Sequence, residues 1–299
     1  MPAHPASDTR DRIQALVTVC VLAVVSLVIA FLGAAPARVS ATELMGDERA
    51  PAERAFVVSH RGGGALAPEN TIPAVTAAID AGFDYLEVDI ALTADRVPVL
   101  MHDKSVDRTT DGHGRIADLT LAEVQQLDAG SWFAAEYAGT PVPTFEEFLT
   151  VLAPSGRRAM LELKGEWDAA AGAALIETLR RHDLERRVAI VSFDPRALLT
   201  TSGASELAFR LLILRRLPRD IEQAVKGADA RGIIVDWKAV ARRPEVVAEM
   251  HELGLRVVVY TLNSDGEWKD TIAAGVDGIV TDEPGRLLEW QDAIASGDE

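Results

Sequence analysis

From residue 55 the chain alternates between short, nearly unbroken apolar runs and longer stretches whose apolar positions recur every three or four residues. The runs are AFVVSH (55–60), DYLEVDIAL (84–92), RAMLELK (158–164), VAIVSF (188–193), FRLLIL (209–214), GIIVDW (232–237), LRVVVYTL (255–262) and DGIVTD (277–282). Their richness in Val, Ile and Leu is that of strands covered on both faces. Between them the periodicity predicts helices over 71–81, 169–182, 195–201, 219–227, 243–253 and 265–274. Gly254 and Gly275 stand where two of these should end. Eight such strand–helix units predict a (β/α)8 TIM barrel. An open doubly wound sheet would show the same hydrophobic pattern.

One run breaks the alternation. VPVLMHD (97–103) follows the second strand after only TADR, which is too short for a parallel crossover. It predicts a hairpin extension. Residues 104–143 then form an insertion containing DGHG and Trp132-Phe133. An insertion after the second barrel strand is expected at the catalytic end.

Ahead of this pattern lies IQALVTVCVLAVVSLVIAFLGAA (13–35), without a charge. A bilayer needs roughly 20 apolar residues, so this hydrophobic helix is long enough for an anchor. It also reads as a secretory signal, with Val39-Ser40-Ala41 as a small-residue cleavage site. The expected organisation is a signal peptide or anchor over 1–41, a linker over 42–54, and the barrel over 55–299. Either fate of the N-terminus places the barrel outside the cytoplasm, with membrane contact through the helix if it is retained. The chain's one cysteine, Cys20, lies in the apolar run, so no internal disulfide can form.

The formal net charge of -16 argues against nucleic acid as a partner, because phosphate backbones are held by excess Lys and Arg. It is compatible with divalent cations and small substrates.

In a barrel the chemistry sits at the carboxyl ends of the strands. Here those ends are polar. His60 and Arg61 close the first run, Glu162 and Lys164 the third, and His102 the hairpin extension. Glu87 and Asp89 stand two apart in the second, so on a strand both face one side, roughly 6–7 Å apart along the chain. Inward carboxylates repel and lose solvation unless a cation sits between them. Glu162, from the next strand, is a third oxygen donor. Such donors suit Mg2+, Ca2+ or Mn2+ better than zinc. The plainer alternative pairs these acids with Lys164 or an arginine. His60 and His102 suit proton transfer near neutral pH, or else a structural role at strand ends. Arg61 and Lys164 could balance the acids or hold an anion such as phosphate. Gly62, Gly63 and Gly64 would allow close backbone approach. Glu69, Asn70 and Thr71 read in part as a helix cap. His102-Asp103 offers an orienting carboxylate, but neighbours on a strand point apart, so no role is assigned to Asp103.

Together these motifs resemble the glycerophosphodiester phosphodiesterases. The resemblance rests on His60-Arg61-Gly62 with Pro68-Glu69-Asn70-Thr71, Glu87-x-Asp89, His102-Asp103, the insertion DRTTDGHGRIADLTLAEVQQLDAGSWF, Glu162-Leu163-Lys164 and the closing GVDGIVTDEP. It implies a TIM barrel that hydrolyses glycerophosphodiesters to glycerol 3-phosphate and an alcohol. It implies His60 and His102 as general acid and base, and Glu87, Asp89 and Glu162 as ligands of one divalent cation. Arg61 and Lys164 are implied as phosphate contacts, and the substrate's own 2-hydroxyl as nucleophile through a cyclic phosphate. Cleavage of lysophospholipids in phospholipase D fashion, or a non-catalytic barrel binding phosphoglycerol polymers, are the alternatives. Tyr260, in VVVYTLN, stands where the family often carries tryptophan, and with Glu69 is a candidate pocket residue. The head group and the oligomeric state are left open.

Overall fold

The computed structural model describes residues 6–32 and 38–296. The helix Ala6–Leu32 belongs to one unit and everything from Arg38 onward to another. Residues 33–35 of the apolar run lie outside the described residues. Among the described residues, no helix is long and apolar enough to cross a membrane.

The second unit is built on nine strands: β1 (Phe56–Ser59), β2 (Tyr85–Leu92), β3 (Pro98–Leu100), β4 (Arg158–Leu163), β5 (Val188–Ser192), β6 (Phe209–Leu214), β7 (Gly232–Asp236), β8 (Arg256–Tyr260) and β9 (Gly278–Thr281). Every strand but β3 pairs in parallel with its neighbours. β1 pairs with β9 on one side and β2 on the other, which closes the sheet into a barrel. The open-sheet alternative is thereby excluded. β3 runs antiparallel to β2, with Leu100 opposite Ile90, as the hairpin extension requires.

The six expected helices form, with ends shifted by a few residues. Gly254 and Gly275 follow two of them in the left-handed region, at φ 69° and 80°. Helices Leu121–Val124, Phe145–Ser155, Trp237–Arg242 and Pro284–Ser296 lie outside the expected set. Phe145–Ser155 carries a plain start signal: Thr144 accepts from Glu147 N–H while the Glu147 side chain reaches back to Thr144.

Side-chain alternation along each strand divides the apolar core in two. Leu86, Val88 and Ile90 of β2 face outward to the helices with Leu161, Val259 and Trp268. Phe56, Val58, Tyr85, Met160, Phe209 and Val258 face inward. The inner cluster also takes in Val39, Ala41, Leu44 and Met45. Residues 42–54 therefore do not begin as an open linker. Ser40 caps a short helix, Ala41–Met45, by accepting from Glu43 N–H at 3.0 Å. Tyr85 Oη donates to the Leu44 carbonyl, and Arg256 Nη2 donates to that of Gly46 at 2.9 Å. Phe56, Tyr85 and Phe209 are the first residues of their strands, so this helix floors the barrel at its amino end. The insertion shares a small core with the hairpin extension, in which Val106, Ile116 and Val124 meet Val99 of β3.

Candidate active site

The period-two alternation that turns Leu86, Val88 and Ile90 outward turns Glu87 and Asp89 into the barrel beyond Tyr85. The parallel register sets Asp89 beside Glu162 of β4. The three carboxylates thus converge: one oxygen of each lies within 4.8 Å of the others. Glu87 and Asp89 are only 5% and 1% exposed. Burial, followed by the Asp89 charge, pushes Glu87 well above the usual carboxylate range. Burial and then Asp89 raise Glu162 as well. Burial would raise Asp89 too, but Lys164, His102 and the Asn70 hydrogen bond outweigh it and leave Asp89 low.

Lys164 Nζ bridges the cluster, 2.6 Å from Glu162 Oε1 and 3.0 Å from Asp89 Oδ1. The plainer pairing with lysine is therefore real, and it leaves work for a cation. Glu87 Oε1 is buried with no hydrogen-bond partner among the described residues, while Oε2 accepts the Arg61 backbone N–H at 2.8 Å. Three hard oxygen donors, one of them orphaned, fit a divalent cation.

β1 ends at Ser59. His60–Gly62 form a turn of 3-10 helix, in which Arg61 takes a left-handed conformation at φ 53°. A non-glycine residue in this region stores strain of about 1–3 kcal/mol. Here that backbone aims the Arg61 N–H at Glu87. The Arg61 guanidinium reaches Glu69 Oε1 at 2.8 Å, and Arg108 clasps the same carboxylate at 2.7 and 2.8 Å. Glu69 therefore positions Arg61 and does not line the large cavity. The glycines also differ from expectation, because none of the three lines that cavity. A Cβ on Gly63 would come within 2.7 Å of the Ala74 carbonyl, and one on Gly62 within 3.0 Å of Val75. They let the turn pack against helix Ile72–Asp80 rather than admit a substrate.

Each histidine has its Nδ1 on a carboxylate. His60 Nδ1 lies 2.6 Å from Asp282, and His102 Nδ1 lies 2.6 Å from Asp103. The second contact exists because β3 stops at Leu100; residues 101–104 are not strand, so neighbours need not point apart. Asp282 is in turn held by Asn263 Nδ2 at 2.7 Å, and Asp103 by Arg108 Nε at 2.6 Å. Burial alone would lower His60, but the Asp282 hydrogen bond and the Glu87 charge prevail and raise it above 6.5. For His102 burial wins over Asp89, and it falls below 6.5.

Asn70 is a residue whose role the sequence does not show. Thr71, not Asn70, caps the helix by accepting from Ala74 N–H. Asn70 takes φ 56° and grips Asp89 twice: Nδ2 donates to Oδ2 at 2.8 Å, and Oδ1 accepts the Asp89 N–H at 3.0 Å. Such partners of a ligating carboxylate fix its orientation.

His60, Arg61, Glu87, His102, Glu162, Lys164 and Tyr260 all line one cavity of about 880 Å³ at the carboxyl ends of the strands. The insertion closes one side with Lys104, Arg115 and Ile116.

The comparisons with known proteins agree with this geometry. The model of the Glycerophosphoryl diester phosphodiesterase family matches residues 60–286. The chain belongs to this family. It is 32% identical over 238 residues to a glycerophosphodiester phosphodiesterase of Caldanaerobacter subterraneus subsp. tengcongensis, covering 79% of this chain and 97% of that one. It resembles the structure of an Oleispira antarctica phosphodiesterase in complex with the product sn-glycerol-3-phosphate, with TM-score 0.75, 30% identity, and coverage of 79% and 96%. A putative glycerophosphoryl diester phosphodiesterase from Silicibacter pomeroyi is similar at TM-score 0.73 and 29% identity, covering 82% and 96%. As a member of the glycerophosphodiester phosphodiesterase family, the chain is an enzyme of phosphodiester hydrolysis.

Proposed function

We propose that the chain hydrolyses glycerophosphodiesters to glycerol 3-phosphate and an alcohol by paired-histidine catalysis that depends on a divalent cation. The observation that carries this is the pair of carboxylate-held imidazoles facing one cavity with Glu87 and Glu162, whose carboxylates converge with that of Asp89. Arg61 and Lys164 face the phosphate. His102, the more readily neutral, takes the proton of the substrate's 2-hydroxyl at Nε2 as its oxygen bonds to phosphorus. His60, the more readily protonated, gives a proton to the departing alcohol oxygen as the P–O bond breaks. Asp103 and Asp282 hold both rings in the tautomer that leaves Nε2 toward the cavity. Water then opens the cyclic phosphate with the two roles exchanged. Glu87, Asp89 and Glu162 would hold Mg2+, Ca2+ or Mn2+, which when bound offsets charge on the phosphate oxygens.

The test is hydrolysis of glycerophosphodiesters by the full chain with and without EDTA, together with His60→Ala. The reading expects loss of turnover on chelation, restoration by Mg2+ or Ca2+, and a folded but inactive His60→Ala. Full activity in EDTA would remove the cation from the reading. One observation favours a second substrate: Leu92, Ile116, Ile213 and Ile234 give the cavity apolar lining that suits a lysophospholipid chain. Lysolipids in the same assay decide that point. We also propose an extracytoplasmic location on the strength of the uncharged run 13–35, which N-terminal sequencing of exported protein tests.

A further inference from the structure

The cavity wall beyond the phosphate contacts has a composition that the acidic chain as a whole does not share. Phe193, Arg215 and Tyr260 stand at the carboxyl ends of β5, β6 and β8. The Arg215 guanidinium lies over the Phe193 ring, 4.6 Å from its centroid. Phe193 meets Tyr260 edge to face at 5.9 Å. Tyr260 Oη donates to the Leu214 carbonyl at 3.3 Å, which ties this aromatic step to the residue before Arg215.

Arg215 has no ion-pair partner among the described residues. The same holds for two other cations lining the cavity, Lys104 and Arg115. Other rim charges are matched: Asp194 is gripped by Arg196, and Arg96 by Asp168. Outside the acidic trio, Glu166 is the one lining carboxylate with no ion-pair partner among the described residues. A molecule of net charge -16 thus carries surplus positive charge at its cavity mouth.

From this wall we infer that the alcohol subsite selects diesters whose alcohol carries an anionic group, and that Arg215 is its specificity-determining residue. The inference rests on the diesterase reading above, since it takes the phosphate to lie at Arg61 and Lys164. A trimethylammonium head is recognised by open aromatic faces and nearby anions. Here the Phe193 face is already covered by a guanidinium, so a choline would meet a like charge. A phosphate or carboxylate on the alcohol meets Arg215 in a geometry fit for paired hydrogen bonds, with the ring fixing the guanidinium plane.

The experiment measures kcat/KM of the full chain on three substrates: glycerophosphocholine, glycerophosphoglycerol, and glycerophosphoglycerol bearing a terminal phosphate. The terminally phosphorylated diester should exceed the choline ester by about tenfold, and added salt should narrow the gap. Arg215→Gln should lower the phosphorylated-to-choline ratio by about fivefold, the change a partly screened charge pair gives, mainly through KM. Arg215→Glu should push the ratio further toward choline. A wild-type preference for choline, or ratios unmoved by both substitutions, overturns this inference while leaving the diesterase reading intact. Wild-type protein inert on all three diesters with Mg2+ and Ca2+ overturns both.

Discussion

Replacing Glu87 with Gln separates what the acidic trio does to stability from what it does for chemistry. Gln keeps the shape and an oxygen to accept the Arg61 N–H, but removes one of the three carboxylates gathered within 4.8 Å. Two unit charges at that distance repel by about 3.5 kcal/mol at an effective dielectric constant of about 20. Lys164, 3.0 Å from Asp89 and 2.6 Å from Glu162, cancels part of this. Glu87 escapes more of it by taking up a proton, as its raised pKa requires. We therefore expect relief of about 1–3 kcal/mol in cation-free protein at pH 8. That corresponds to a rise of about 2–10 °C in Tm for a domain of this size.

The pH dependence has a definite sign. Below the ordinary Glu value of 4.5 the group is protonated in folded and unfolded chains alike, and the substitution gains nothing. Above 4.5 the unfolded chain releases the proton while the folded one retains it, so wild-type stability falls as pH rises toward the raised folded pKa. The advantage of Glu87→Gln should thus be small at pH 5 and widest at pH 8. Thermal unfolding in EDTA at both values measures it. Mg2+ or Ca2+ should then raise the Tm of wild type but not of the variant, because only wild type keeps the full ligand set. Turnover should drop by about two orders of magnitude or more. A variant that melts below wild type in EDTA at pH 8 would show that the carboxylates are held together by favourable contacts, and the reasoning would fail.

Two more predictions concern the residues behind the trio and the histidines. Asn70→Ala leaves the buried N–H and a buried carboxylate oxygen of Asp89 without their partners, so it should destabilise the protein by about 2–4 kcal/mol and weaken cation binding by about 10–100-fold. Calorimetric titration showing wild-type affinity would reduce Asn70 to a packing role. The profile of kcat/KM against pH should be a bell, its acid limb set by His102 below 6.5 and its alkaline limb by His60 above 6.5. Asp282→Asn withdraws the carboxylate that raises His60, so the alkaline limb should move down by about one to two pH units. An unmoved limb would assign it to another group.

The barrel was legible because strands covered on both faces write their burial directly into sequence as unbroken apolar runs. The trio was legible for a related reason. In β2, Glu87 and Asp89 interrupt such a run at period two, and only an inward-facing charge cluster explains that. What escaped depends on backbone direction, which residue type encodes weakly. Asn70 carries the composition of a cap, yet its left-handed backbone turns the side chain onto Asp89. Asp103 orients His102 because the strand stops two residues earlier than the apolar run suggests. The glycines after Arg61 looked like room for a ligand, and their true neighbours, Ala74 and Val75, are near only once the turn doubles back on its helix. Helix Phe145–Ser155 had its signal in Thr144 and Glu147, just past the end of the insertion and ahead of the third barrel strand.

The floor formed by Ala41–Met45 has a kinetic consequence. With the amino end of the barrel shut, the way to Glu87, Asp89 and Glu162 passes through the same mouth that the diester uses. Traffic would then be ordered: a cation held by these three carboxylates would have to enter before a diester fills the mouth, and could leave only after product had gone. Cation exchange measured in the presence of product should accordingly be slower than in its absence, as in a vestibule with a single door.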